Sequence, residues 1–250
     1  MKKFIVVTGA SRGIGHAAAN ALADSGWCVI GVARNAPESF PGEFIETNLA
    51  DRDKTQALAD DLMRRTNVLG IVNNVGLARH ENISDVDPGI FAAVMDLNVR
   101  PALQLTNALL PAMRAARFGR IINITSLVTR GLAFRASYAA AKSALESLAR
   151  TMAIELAADG ITANAVAPGP TETDLFRANN PPGSEGEARY LARIPMRRFA
   201  LPSEIPCHGY GGLHYWPDVV CGWWRKPRKS LAFHANSPRV IHVQSVLRRH

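Results

Sequence analysis

Between Met1 and about residue 170 the chain alternates short β-branched apolar runs with longer amphipathic segments rich in Ala and Leu. That alternation is the pattern of parallel strands joined by crossover helices. It predicts strands at Phe4–Thr8, Cys28–Ala33, Gly70–Asn73, Arg120–Thr125 and Thr162–Ala167. It predicts helices at Gly13–Asp24, Arg52–Thr66, Pro88–Arg117, Ala136–Ala158 and Gly186–Ile194. The expected fold is α/β, a Rossmann-like doubly wound parallel sheet in three α/β/α layers. Its crossovers are right-handed and its ligands bind at the carboxyl ends of the strands. The chemistry is therefore expected just after each strand.

The length of 250 residues and a 47% apolar content suit one α/β domain or two small ones, and exclude disorder of the whole chain. No uninterrupted apolar run approaches the roughly 18–20 residues of a membrane span, so no membrane partner is expected. Three cysteines, Cys28, Cys207 and Cys221, make no disulfide framework, which points to a reducing, cytoplasmic setting. The net charge of +8 would suggest a polyanionic partner if it were spread over the chain. It is not: residues 1–205 carry 22 Lys and Arg against 20 Asp and Glu, whereas residues 206–250 carry 7 against 1. The excess belongs to an atypical basic tail, in which only Arg239–Val246 resembles a strand. No nucleic-acid partner is expected, because Trp223-Trp224-Arg225-Lys226 sits in no nucleic-acid-binding fold. No metal is expected either, since Cys207, His208, His214 and Cys221 match no common zinc-ligand spacing.

Directly after the first strand comes Thr8-Gly9-Ala10-Ser11-Arg12-Gly13-Ile14-Gly15, opening a helix. Glycines permit a tight turn and close approach of the backbone to a pyrophosphate, and the helix start offers free N–H groups to that anion. The second strand ends at Ala33-Arg34, where an acidic residue would accept the ribose hydroxyls of NAD. Arg34 and Arg12 instead offer two guanidinium groups to a 2′-phosphate, so NADP(H) is expected in preference to NAD(H).

Ser126 follows the strand Arg120–Thr125, and Tyr138 and Lys142 share one face of the next helix. The triple suits carbonyl reduction. A neighbouring ammonium is expected to lower the Tyr138 pKa, so that the phenol protonates a carbonyl oxygen while Ser126 holds it and Lys142 bonds the nicotinamide ribose.

Together these elements resemble the short-chain dehydrogenase/reductase family over residues 1–205. Gly9, Ser11, Arg12, Gly13, Ile14 and Gly15 lie in a segment similar to its TGxxxGxG turn, and Asn73-Asn74-Val75-Gly76 resembles its NNAG element. Ser126, Tyr138 and Lys142 match its Ser and YxxxK, and Asn98 stands at the Asn of its catalytic tetrad, which holds a proton-relay water. Pro168-Gly169-Pro170-Thr171-Glu172-Thr173 matches its PGxxxT, which contacts the nicotinamide carboxamide. Two departures appear: Val75 replaces the usual Ala, and Asn48, in Asn48-Leu49, replaces an Asp that accepts from the adenine amino group. The resemblance implies a small carbonyl or alcohol substrate, closest in texture to the 3-oxoacyl-thioester (acyl carrier protein) reductases, with a variable substrate loop over about 172–202.

After Ile205 the family's helix, TGQxxxVDGG segment and last strand are missing. Tryptophan has a single codon, so reading one nucleotide later forces Gly at positions 216, 223 and 224. The shifted frame permits Thr-Gly-Gln-Thr-Leu-x-Val-Asp-Gly-Gly over 215–224. A frameshift near residue 206 is thus expected to have replaced the family's C-terminal part. Its loss would expose a sheet edge and apolar surface, leaving the family's homodimer or homotetramer doubtful and catalysis impaired.

Overall fold

The computed structural model describes residues 2–205. The expectations for 206–250, among them the lost helix and strand and the possible strand Arg239–Val246, lie outside the described residues. Six parallel strands, β1 (Phe4–Thr8), β2 (Cys28–Ala33), β3 (Gly42–Glu46), β4 (Val68–Asn73), β5 (Gly119–Ile124) and β6 (Ile161–Val166), form one sheet in the order β3-β2-β1-β4-β5-β6. The helices are α1 (Gly13–Asp24), α2 (Arg52–Met63), α3 (Pro88–Ala115), α4 (Ala136–Leu156), α5 (Asp174–Asn179) and α6 (Glu185–Arg193). This is the expected doubly wound α/β architecture.

Strand alternation explains the two cores. In β1, Val6 packs with Leu58, Leu62, Leu105 and Leu109 of α2 and α3, while Ile5 and Val7 pack with Ala18, Ala19 and Leu22 of α1. A strand apolar on both faces is stable only when helices cover both. Each fully buried Leu contributes about 1.5–3 kcal/mol.

Helix caps follow the sequence closely. Asp51 accepts from the amides of Asp53 and Lys54 at the start of α2, Asp87 from Ile90 at the start of α3, and Ser184 from Glu187 at the start of α6. Three helices end two or three residues earlier than their periodicity predicts. Arg117 takes a left-handed φ of 50° after α3, and Ala157–Asp159 tightens into a 3-10 turn closed by Gly160 after α4. The strand β3 was not expected. Its Gly42, Glu43 and Glu46 are exposed at the sheet edge, so it carries no apolar alternation. The short α5 was also not expected, being too brief to show a period.

The strand order reverses between β1 and β4, and there the crossovers leave in opposite directions and open a crevice. Thr8 bolts its two sides together. Its hydroxyl donates to the Val72 carbonyl (3.3 Å) and accepts from the amides of Asn74 (2.9 Å) and Val75 (3.1 Å). Thr8→Val keeps the shape and removes the oxygen. It should leave two amides without acceptors and cost about 1–3 kcal/mol, read as a lower urea midpoint. Thr8→Ser should recover most of the loss, and an unchanged midpoint in Thr8→Val would contradict the bolt.

Candidate active site

A cleft of about 1010 Å³ occupies the carboxyl ends of the strands. Gly9 and Gly13 turn the chain from β1 into α1 with positive φ, 65° and 58°, which side chains with a Cβ rarely adopt. Gly15 is required for a different reason: a Cβ there would sit 2.3 Å from the Gly9 carbonyl oxygen and 2.5 Å from Asn74 Nδ2. Asn74 Nδ2 in turn donates to the carbonyls of Thr8 (3.0 Å) and Gly9 (3.2 Å), fixing the turn. The N-cap of α1 is Arg12, which makes no side-chain cap hydrogen bond. The first amides of α1 are therefore available to an anion beside Ser11, Gly13 and Ile14, which all line the cleft.

The residues expected on the adenosine side also gather there. Arg34 is exposed on the rim, and Arg12 forms an ion pair with Asp174 at 3.1 Å in which both side chains are about two-thirds exposed. Asn48 Oδ1 accepts from the Ala50 amide (3.2 Å), which orders the turn and leaves its second lone pair for a ligand. Leu49 is held by Arg100, whose Nη2 donates to the Leu49 carbonyl at 2.8 Å while its Nε pairs with Asp96. Arg100 escaped the sequence reading; its only signal was the Asp96-Arg100 helical spacing. Val75 lines the cleft, is tied to Thr8 by its amide, and packs its side chain against the α2–α3 core.

At the other end, α4 carries Tyr138 and Lys142 against Ser126, which follows β5. The Ser126 hydroxyl accepts from the Val128 amide (3.2 Å) and is hydrogen-bonded to Tyr138. Lys142 Nζ donates to the Ile124 carbonyl at 2.8 Å. Asn98, buried on α3, donates through Nδ2 to the carbonyls of Leu77 (2.9 Å) and Val94 (2.8 Å), and its Oδ1 is buried with no hydrogen-bond partner. A Cβ on Gly76 would lie 2.7 Å from Asn98 Oδ1 and 3.3 Å from Lys142 Nζ. Gly76 thus leaves room where these two groups converge. Of the expected residues only Gly15 and Asn98 do not line the cleft; both stand directly behind it.

Burial pushes the Tyr138 phenol up to about 12, opposed by the charge of Arg135 and the hydrogen bond with Ser126. This corrects the expectation that the lysine ammonium lowers Tyr138. The cation that does so is Arg135, while burial lowers Lys142 itself to about 8. An ammonium held at 5.6 Å from the ring centroid loses hydration and gains no carboxylate in exchange.

The expected substrate loop closes on itself at its base. Glu172 N donates to the Ala200 carbonyl (2.7 Å), and Ala200 N to the Pro170 carbonyl (3.1 Å). Pro168, Gly169 and Thr171 line the cleft on the way out of β6, and Thr173 caps α5 by accepting from Phe176 N (3.1 Å). Within the loop, Arg177 joins α5 to α6 through ion pairs with Glu172 and Glu187. Phe176, Tyr190 and Phe199 pack edge to face or tilted around it. Arg135, at the N-cap of α4, and Tyr190 and Arg193, on the folded loop, also line the cleft and carry no motif in the sequence. Among the described residues there is no cluster of three metal-ligating side chains, and no helix is long and apolar enough to cross a membrane.

The Lys142 shift sets a pH dependence of stability. Between about pH 8 and its unfolded value of 10.5 the unfolded chain holds the lysine proton and the folded chain does not, so rising pH favours folding. The difference in melting temperature between wild type and Lys142→Met should therefore move in favour of wild type from pH 7 to pH 9.5. A constant difference would contradict the buried, depressed lysine.

Comparison with known proteins places these features. The family model for short chain dehydrogenase matches residues 3–183. The 3-oxoacyl-[acyl-carrier-protein] reductase of Vibrio harveyi is 35% identical over 213 residues, covering 81% of this chain and 86% of that protein. A solved 3-oxoacyl (acyl-carrier-protein) reductase from Agrobacterium tumefaciens C58 with NADP bound superposes with a TM-score of 0.72 at 27% identity, covering 81% of this chain and 84% of that one. The aldohexose dehydrogenase of Thermoplasma acidophilum gives 0.74 at 25% identity, covering 82% and 84%. The chain belongs to the short-chain dehydrogenase family and is an oxidoreductase acting on CH–OH or carbonyl groups.

Proposed function

We propose that residues 1–205 form an NADPH-dependent reductase that interconverts a carbonyl and a secondary alcohol, with the 3-oxoacyl thioesters of the similar reductases as the first substrates to try. The observation that carries this is the convergence of Ser126, Tyr138 and Lys142, with Asn98 behind them, at the inner end of a cleft whose outer end presents uncapped helix amides and two arginines. The residues fit the dinucleotide: the glycine turn leaves space where a Cβ would stand, and the α1 amides suit its pyrophosphate.

When bound, the nicotinamide supplies a hydride to the carbonyl carbon. Tyr138 donates its proton to the carbonyl oxygen, and Ser126 positions that oxygen by hydrogen bonding. A phenol near 12 is protonated at neutral pH, which suits the reductive direction. Lys142 would hold the ribose of the bound cofactor and return a proton towards Tyr138, and the Asn98 Oδ1, which has no protein partner, would accept from a water that carries the proton onward. Arg34 and Arg12 would hold the 2′-phosphate of a bound NADPH. The exposed Arg12–Asp174 pair is worth only about 0–1 kcal/mol, so a phosphate displaces it readily.

Two further proposals concern extent and setting. Residues 1–205 act as the cofactor-binding and catalytic domain, in a cytoplasmic setting. The tail 206–250 derives from a frameshift, favoured by the forced glycines at 216, 223 and 224 and by relatives that are matched over 86% of their length and 81% of this chain. In that event the product retains the cofactor half and turns over poorly, and the family's dimer or tetramer does not assemble.

Tyr138→Phe should lower kcat/KM by about 10²–10⁴ while NADPH binding persists; a change within threefold contradicts the assignment. Arg34→Asp should reduce the preference for NADPH over NADH by about 10–100-fold, the worth of one charge-assisted contact, and an unaltered ratio contradicts it. The gene should encode a TGQ…DGG-like segment in the +1 frame after codon 205, and restoring that frame should raise turnover. Absence of such a segment ends the frameshift proposal.

A further inference from the structure

The cleft is far more cationic than the body that contains it. Residues 1–205 are nearly balanced in charge, yet among the described residues five cationic side chains, Arg12, Arg34, Arg135, Lys142 and Arg193, line the cleft against one carboxylate, Asp174. Asp174 is already paired with Arg12. Arg12 and Arg34 serve the adenosine end in the function proposed above, and Lys142 is engaged with the Ile124 carbonyl.

Arg135 is assigned no ligand in that function, although its charge opposes the rise of the Tyr138 pKa. It stands at the N-cap of α4, three residues before Tyr138, and is only 9% exposed. Its Nη1 donates to the Arg79 carbonyl (2.9 Å) and reaches Asn179 Oδ1 (3.5 Å), both neutral acceptors. Among the described residues no carboxylate lies within 4 Å of its guanidinium. Glu81, its β-bridge partner, turns Oε2 to the Ser137 amide instead. A buried guanidinium without a counter-charge is costly, and it spends only part of its five-donor fork on these contacts. The cleft it lines is where the missing anion has access.

We propose that Arg135 is a substrate-recognition residue for a free carboxylate, so that the preferred substrate is an oxo acid whose carboxylate lies beside the carbonyl served by Tyr138. This rests on the reductase reading given above. A guanidinium fork matches a carboxylate in two parallel hydrogen bonds, and that contact fixes the orientation of a small substrate whose carbonyl must reach Ser126 and Tyr138. The contacts to Arg79 and Asn179 hold the fork in place, Asn179 doing so from α5 within the substrate loop.

The test pairs short 2-oxo and 3-oxo acids with their methyl esters, which keep the carbonyl and lose the charge. Binding to the full chain with NADPH is measured by calorimetry, and turnover is followed in parallel. Wild type should bind the acids about tenfold or more tighter than the esters. Arg135→Gln should bring that ratio close to one, whatever its effect on kcat through Tyr138, and Arg135→Lys should keep part of it. An acid-to-ester ratio near one in wild type overturns the inference. So does an equal loss for acid and ester in both variants, which would make Arg135 a mere strap between Arg79 and Asn179. So does a weaker NADPH affinity with an unaltered ratio, which would assign Arg135 to the cofactor. Acid-selective binding that needs Arg135, without turnover of any acid or ester, supports the anion site and counts against the reductase reading alone.

Discussion

The structure depends on the reversal of strand order between β1 and β4 and on the single hydroxyl that spans it. Parallel strands leave their carboxyl ends with unpaired peptide groups, and at this reversal the crossovers depart to opposite faces. Thr8 satisfies two of the exposed amides, those of Asn74 and Val75, and Asn74 then secures the carbonyls of Thr8 and Gly9. The glycine turn can approach β4 closely only because Gly15 lacks a Cβ. The crevice therefore has walls tied together by hydrogen bonds and an uncapped helix at one of them, the two features on which the proposed dinucleotide site rests.

The inner end is built against electrostatic preference. Tyr138 and Lys142 are both buried, and burial moves each pKa towards the neutral form. Such paired perturbation in a cleft is a mark of acid–base sites, obtained at a cost in stability that a surface lysine does not carry. Arg135 partly offsets the burial of Tyr138 and is itself buried with no carboxylate within 4 Å among the described residues. The inner cleft is thus left with positive charge.

Much of this was legible in the chain, for physical reasons. Strands apolar on both faces leave unbroken apolar runs and amphipathic helices a strong period, so β1, β2 and α1 have the boundaries expected, and the motif residues fall where the strands end. The edge strand β3 left no signal because solvent covers its outer side, and α5 is shorter than two helical turns. The electrostatics were less legible. Tyr138 and Lys142 four apart suggested a direct charge effect, but the effect on Tyr138 comes from Arg135, whose burial depends on the Arg79 carbonyl and on Asn179 of the folded loop. Arg100 was hidden likewise, since its partner Leu49 is distant in sequence. Periodicity encodes packing; it does not encode which long polar side chains a loop encloses.

The basic charge of the chain divides into two unrelated parts. Seven of the cations lie in residues 206–250, and the nearly balanced remainder concentrates five in its cleft. Amide hydrogen exchange with and without NADPH tests most directly whether that cleft is the dinucleotide site. Protection should appear together in residues 9–15, around Arg34 and Asn48, in 74–76, at the start of α4 and in 168–173, which all line the cleft, and little elsewhere in 2–205. Exchange unaltered by saturating NADPH in the segments around Gly9 and Asn74 would contradict the account.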